Sequence, residues 1–381
     1  MSKKILLIGM LDSIHFGRWL EQFKDQDVQI VIFPSKIFRY THSNIINLVN
    51  NDNFIFVNKF YKFKLSGYID FILSKCFTHL FRLDYRIWLF NIAMKKHEYY
   101  RVHALEMQGA GYLCLDWTLE YKVDFSNNLI VTNWGSDIYF FMQDAKHLNK
   151  IKKVLSIASF YSAECIRDYD LAVQLGFTGK FLPCNPNSGG VIFNQTKQML
   201  PASKRDLLLV KGYGGSFGQA NLAISAINCV LNDFPQLKIF YYSVTKDVEP
   251  LIIAQKKILM NDINYSLVDS PLPYEKILSF FQNAKIYLGI SRSDGISTSF
   301  LEALSYGAYP IQSNTSCANE WVDKGIQCTL VDLNIDQIEN ALRFILKNPD
   351  LLDSIVSKNL QIATHLLNYD RIASDSLKFY E

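Results

Sequence analysis

The residues best placed to do chemistry lie in one stretch, IYLGISRSDGISTSFLEALSYGAYPIQSNTSCANEWVDKG, at 286–325. Ile286–Ile290 reads as a strand and Ser291–Gly295 as the loop at its end. Ile296-Ser297-Thr298 then opens a helix that carries Glu302. The first N–H groups of a helix have no intrahelical partner, and the helix dipole makes that end electropositive, so it favours an anion. Gly295 and Ser297 leave room for a ligand to approach the backbone, and Thr298 and Ser299 add hydroxyl donors. A pyrophosphate suits such a cradle. Asp294 stands before it and Glu302 beyond it. An ionised carboxylate accepts several hydrogen bonds, so Asp294 suits sugar hydroxyls and Glu302 the two hydroxyls of a ribose. Taken singly, Ser297 is an ordinary N-cap, Asp294 an ordinary turn residue and Glu302 an ordinary solvated acid. The arrangement is what carries the chemistry.

The surrounding elements must hold that cradle. The chain opens with Ile5–Ile8 as a buried strand, then Gly9, a loop, a helix through about Lys24, and a second strand at Val28–Phe33 stopped by Pro34. This β-loop-α-β opening is Rossmann-like without its G-x-G-x-x-G. Residues 35–65 read as irregular, and 68–94 as one helix from apolar residues at i, i+3 and i+4. Strands are expected at Tyr100–Leu105, Leu129–Thr132 and Phe160–Ser162, and helices at Lys146–Ala158 and Glu164–Leu175. Glycines and prolines in 176–203 mark a boundary. The rhythm then restarts: Leu207–Val210 as strand, Lys211–Gly218 as glycine-rich loop, Ala220–Leu231 as helix, and further alternation through Tyr309–Ser313. Strands alternating with helices predict parallel sheets with sites at the carboxyl ends of strands. On that rule His103, near the end of its strand, is a candidate, and Glu106 just after it a weaker one.

Composition narrows the class. The chain has 381 residues, which fits two domains better than one. With 49% hydrophobic and 20% charged residues it is globular rather than disordered. Net charge is only +3, too balanced for nucleic-acid binding through bulk charge. The basic excess is N-terminal, +6 over residues 1–200 against −3 over 201–381. Seven scattered cysteines, without C-x-x-C, read as reduced and mostly buried thiols of a cytoplasmic protein. The apolar run Ile5–Leu11 is too short for a signal peptide, and nothing approaches the ~20 apolar residues of a membrane span. Asp25-Gln26-Asp27 and Asp168-Tyr169-Asp170 have the form of a D-x-D metal motif, but neither falls in a loop at a strand's carboxyl end, so both read as solvated acids.

The run from Asp294 through Glu302-Ala303, Gly307 and Pro310-Ile311 resembles the donor-site motif of GT-B glycosyltransferases, in particular the retaining family-4 type. Asn319–Gly325 and Leu330-Val331 are also similar to that family. Asp294 stands where Glu is commoner. Leu208–Gly215 sits where the family has a strand and a Gly-Arg loop, which makes Lys211 a phosphate ligand and Gly212 and Tyr213 donor-binding neighbours. Val131–Ile138 resembles the family's Thr-x-His-Gly-x-Asp stretch, with Trp134 in the histidine's place and Asp137 retained. Ser13-Ile14-His15 with Arg18-Trp19 resembles its first glycine loop, and Pro183–Gly190 its hinge.

The resemblance implies two Rossmann-like α/β domains facing across a cleft. They would be an acceptor-binding domain at 1–190 with a helical insertion, a donor domain at 191–355, and a C-terminal helix at 356–381 packing back on the first domain. It implies transfer of a sugar from a nucleoside-diphosphate sugar, UDP- or GDP-linked, to a hydroxyl of a carbohydrate or lipid-linked saccharide. The transfer would be retaining and independent of any metal or further cofactor, and would serve surface-polysaccharide or glycolipid synthesis. Asp294, Lys211, His103 and Asp137 would be catalytic. Gly212, Tyr213, Gly295, Ile296, Ser297, Thr298, Ser299 and Glu302 would bind donor, and Ser13, His15, Arg18, Trp134 and Glu106 would face the acceptor. A CMP-linked nonulosonic acid donor, a nucleotide-sugar epimerase and a catalytically silent nucleotide-sugar-binding protein are the alternatives. Residues 57–101, with nine basic side chains against three acidic, form a basic and aromatic region suited to an anionic membrane surface on the cytoplasmic side.

Overall fold

The structure is a computed structural model that describes residues 3–63, 66–81, 84–193, 199–259 and 261–381. The chain divides into two units, Met1–Gly190 with Tyr369–Glu381, and Val191–Asn368.

Among the described residues the first unit holds seven strands: β1 (Lys3–Gly9), β2 (Val28–Pro34), β3 (Phe54–Phe56), β4 (Arg101–Leu105), β5 (Leu129–Thr132), β6 (Phe160–Ser162) and β7 (Lys180–Phe181). They pair in parallel in the order β3-β2-β1-β4-β5-β6-β7. β1 is apolar and buried from Ile5 to Ile8 because both faces are covered there. Ile5 and Leu7 pack on one side with Trp19 and Phe23, and Leu6 and Ile8 on the other with Phe90 and Trp117. The helices are α1 (Ile14–Glu21), α2 (Ser43–Leu48), α3 (Ser66–Phe81), α4 (Tyr85–Lys96), α5 (Tyr112–Tyr121), α6 (Ala145–Ile157) and α7 (Ile166–Gln174).

The second unit holds β8 (Leu207–Lys211), β9 (Lys238–Val244), β10 (Ile263–Leu267), β11 (Ala284–Gly289), β12 (Tyr309–Ser313) and β13 (Thr329–Val331), parallel in the order β10-β9-β8-β11-β12-β13. Its helices are α8 (Ala220–Leu231), α9 (Glu249–Ile258), α10 (Tyr274–Asn283), α11 (Thr298–Tyr306), α12 (Asn319–Val322), α13 (Ile335–Lys347) and α14 (Asp350–Leu366). Leu208, Val210, Ile286 and Leu288 face α8 and α13, while Leu209 and Tyr287 face Phe300 and Leu304 of α11. In both units the strand order reverses beside the first strand, between β1 and β4 and between β8 and β11. That reversal opens a crevice at the strand ends.

Several expectations are corrected. The single helix at 68–94 is two, α3 and α4; Asp84 starts the second by accepting from the N–H groups of Arg86 (2.7 Å) and Ile87 (3.3 Å). Residues 35–65 hold α2 and β3, both too short to show a period. No helix is expected from the sequence at α5, α9, α12 or α13. The apolar residues of α5 are not confined to one side, so no helical stripe stands out. Residues 356–381 are not one helix. α14 runs to Leu366 within the second unit, and α15 (Tyr369–Leu377) belongs to the first, where Phe379 and Tyr380 are buried against Trp19 and Phe23.

Candidate active site

In the second unit β11 delivers Ser291–Gly295 to the crevice beside the loop that leaves β8. Gly218 and Ser291 form a bridge, and Arg292 N–H donates to the Phe217 carbonyl (2.7 Å). The glycine loop is pinned from the end of β9. Gly212 N–H donates to the Tyr242 carbonyl (2.8 Å), Gly214 N–H to Thr245 Oγ1 (3.0 Å) and Gly215 N–H to Asp247 Oδ2 (3.0 Å). The Thr245 hydroxyl and the Gly215 N–H hold the Asp247 carboxyl below the usual range. Any side chain at Gly218 would collide with the backbone of Tyr213, its Cβ falling 1.9 Å from that carbonyl oxygen.

Ser297 is the N-cap of α11 in extended geometry, but its hydroxyl does not cap the helix. The buried hydroxyls of Ser293, Ser297, Tyr242 and Tyr287 have no partner at hydrogen-bonding geometry among the described residues. Three of them, Tyr242, Tyr287 and Ser297, face one another and Ser299, so β9, β11 and the start of α11 share one buried cluster of hydroxyls. Ser299 and Glu302 are buried on α11, with Asp294 and Thr298 half-buried at its approach. Glu302 Oε1 accepts from the Tyr274 hydroxyl at 2.6 Å. Gly295 and Ile296 are buried, and the Gly295 carbonyl accepts from Cys317 N–H (2.7 Å), so that loop is also fixed from after β12. Lys211 is half-buried at the end of β8, and Tyr213 is exposed in the loop beyond Gly212.

Sequence reasoning missed Thr245, Asp247, Tyr274 and Arg292. The first three lie outside the motif and meet it only through the sheet. Arg292 lay inside the motif, but Lys211 counts as the only cation only when the β8 loop is read alone. Folding brings a second basic residue beside that loop.

In the first unit the strand-end loops hold a carboxylate pair. Glu106, at φ 113°, accepts from the N–H groups of Gly109 (2.8 Å) and Ala110 (3.0 Å) and lies 3.8 Å from Lys36 Nζ. Asp137 Oδ2 accepts from Met107 N–H (2.8 Å) and Trp134 N–H (2.9 Å). Burial, and then the negative charge of Glu106, push the Asp137 carboxyl well above the usual range. Trp134 is half-buried, with its indole N–H unpartnered among the described residues. Ser13 caps α1 by accepting from Phe16 N–H (3.4 Å), and His15 and Arg18 sit half-buried on that helix.

His103 is corrected. Its strand-end position suggested catalysis, but the side chain points into the core and is fully buried. Its ring nitrogens meet the Tyr380 hydroxyl (2.8 Å) and Thr132 Oγ1 (2.6 Å), and burial holds its pKa down to about 3. It is a neutral hydrogen-bonding core residue. Asp168 is not solvated either. It is buried between Asn133 Nδ2 (2.7 Å) and Arg167 Nε (2.9 Å), whereas Asp25 and Asp27 are exposed. The basic stretch is not one face. Arg86 turns inward to the Ser35 carbonyl, and Arg101 stacks between Tyr100 (4.3 Å) and Phe160 (4.5 Å). Lys64 and Arg82 lie outside the described residues. Cys114, Cys165 and Cys317 are buried but Cys76, Cys184 and Cys229 are exposed, so the thiols are less uniformly internal than expected. No helix among the described residues is long and apolar enough to cross a membrane.

Known proteins resemble the chain at two levels. Residues 261–361 match the family model described as "Glycosyl transferases group 1", a span that includes Asp294 and Glu302. No curated protein matches the sequence. The fold is similar to that of sucrose-phosphate synthase (tll1590) from Thermosynechococcus elongatus, at 13% identity and TM-score 0.70 over 99% of this chain and 98% of that one. It is similar to Anabaena Alr3699/HepE in complex with UDP-glucose, at 12% identity and TM-score 0.70 over 98% of each chain. A glycosyltransferase from Rickettsia africae ESF-5 matches at 13% identity and TM-score 0.67 over 100% of this chain and 98% of that one. Residues 261–361 of the second unit thus match the group 1 glycosyltransferase model, and the two-sheet fold is like that of GT-B glycosyltransferases.

Proposed function

We propose that this protein moves a sugar from a UDP- or GDP-linked donor to a hydroxyl of a carbohydrate or lipid-linked saccharide, with retention and without a metal. The product would be a cell-surface polysaccharide or glycolipid, made on the cytoplasmic side. The observation that carries this reading is the start of α11, where Ser297, Thr298 and Ser299 and the leading N–H groups of the helix lie between Asp294 and the buried Glu302. The diphosphate lies at that helix end, where the developing negative charge is met by N–H donors and by Lys211 and Arg292. Glu302, oriented by Tyr274, takes the ribose. Asp294 orients the sugar. The bond between the anomeric carbon and the phosphate oxygen breaks with its electron pair going to the diphosphate. The acceptor oxygen bonds the same carbon from the same face, and its proton passes to the departing phosphate. Trp134, Asp137 and Glu106 of the first unit, with Ser13, His15 and Arg18, form the acceptor side. The complexes of HepE with UDP-glucose and with UDP support a uridine donor.

The test is thermal stability with UDP, GDP, CMP and ADP, on the wild type and on Glu302→Ala. A nucleoside diphosphate should raise the melting temperature of the wild type, by a free energy that grows with ligand concentration, and leave the variant unmoved. Lys211→Ala should slow donor turnover about 10²-fold. A shift with CMP alone would move the reading to a CMP-linked donor. No shift with any nucleotide would overturn the assignment of the donor site.

A further inference from the structure

The helix α3 is turned inside out. A surface helix buries its apolar stripe and offers polar residues to water. Over residues 67–80 the inward positions are instead Gly67, Asp70, Ser74 and Phe77, one side of the helix at i, i+3 and i+4 spacing. Asp70, the only acid of α3, is 1% exposed and lies against Tyr61 and Arg86. The outward arc carries Tyr68 (63% exposed), Phe71 (52%), Ile72 (59%) and Leu80 (71%), with Ile69 and Leu73 beside them and Phe63 (64%) just ahead. The inversion is held in place: Gly67 sits so close to the loop after β2 that a Cβ there would fall 1.7 Å from the Phe38 carbonyl oxygen. An apolar face of this extent marks an interaction surface.

Charge identifies what covers it. Arg39 lines a pocket of about 330 Å³ with Tyr68 and Phe71, so it shares their face. Lys75 lies 5.6 Å from the Phe71 ring, and Lys62 precedes Phe63 and is exposed. Asp70 is the only acid in residues 57–81, and it points inward. A face whose described side chains from α3 and Phe63 are apolar or basic, joined by Arg39 and Lys62, disfavours a second copy of itself and complements an anionic bilayer surface.

We propose that α3 and Phe63 insert into the headgroup region of an anionic bilayer, with Arg39, Lys62 and Lys75 meeting lipid phosphates. This is independent of the donor chemistry. The test is co-sedimentation of the full chain with vesicles of phosphatidylcholine alone or with phosphatidylglycerol. Wild type should bind the anionic vesicles at least tenfold more tightly. Combined Tyr68→Ser, Phe71→Ser and Ile72→Ser should lose at least tenfold of that binding. Lys62→Ser and Lys75→Ser should each lose roughly fivefold. All these residues are exposed, so melting temperature and its shift with nucleotide should stay at wild-type values; those two readouts separate this proposal from the donor reading. Wild type remaining in the supernatant with anionic vesicles would overturn the proposal. So would unchanged binding by the triple variant. A dimer seen by light scattering that the triple variant abolishes, without vesicle binding, would make the face a self-interface and equally overturn it.

Discussion

Glu302 shows how a residue acquires a role from a partner that the sequence does not announce. Its spacing from Asp294 is visible in the chain, but Tyr274, 28 positions earlier, holds one of its oxygens at 2.6 Å. A hydrogen bond to a charged group contributes roughly 1.5–3 kcal/mol. Tyr274→Phe should therefore weaken nucleotide binding about tenfold, measured by calorimetry, with the fold unchanged. Tighter binding would mean that the tyrosine competes with the ribose instead of orienting its partner. The first unit yields a pH prediction. Asp137 has a folded pKa raised above its unfolded value by burial and by Glu106. Its contribution to stability is therefore full below the ordinary carboxylate range and is lost as pH rises through the folded value. Asp137→Asn copies the protonated form and keeps an oxygen for the two N–H donors. Urea unfolding from pH 5 to pH 9 should show the variant gaining on the wild type as pH rises. A constant gap would exclude the titration.

At the scale of elements, the glycine loop after β8 and the loop after β11 are built as one object. The Gly218–Ser291 bridge and the Arg292–Phe217 hydrogen bond join them, while Thr245 and Asp247 brace the loop from β9. Gly218→Ala has no room, because the clash is with backbone and not with a flexible side-chain tip. The variant should retain its circular dichroism spectrum and lose most nucleotide-induced stabilisation, since the loop must move to admit the methyl group. The motif's strand, loop and helix were legible because a short apolar run, a glycine and a helix start are local features. The bracing was not, because Thr245 and Asp247, just past β9, are brought to the loop only by sheet order.

At the scale of the molecule, the chain leaves the first unit after Gly190 and returns to it at Tyr369. The return ends in Phe379 and Tyr380, both buried. Tyr380 closes the network to His103 and Thr132 and packs on Phe23, and Lys3 Nζ donates to its carbonyl (2.8 Å). Removing a buried aromatic costs about 3–5 kcal/mol. Tyr380→Ala should lower the unfolding free energy by about that amount, read by urea titration. A change under about 1 kcal/mol would show that the return segment is only loosely held. What the sequence determined by itself is what nearest neighbours along the chain decide: buried parallel strands as unbroken apolar runs, their alternation with helices, the restart of that alternation at Leu207, and the local run of hydroxyls and carboxylates from Asp294 to Glu302. Tertiary structure decided what depends on partners distant in the chain. It made His103 a neutral core residue by burying it against Tyr380, and it set Arg292 beside the β8 loop. It also turned the apolar side of α3 outward by burying Asp70. A side chain's type is local, but its solvent exposure and its charge partners are properties of the packed molecule.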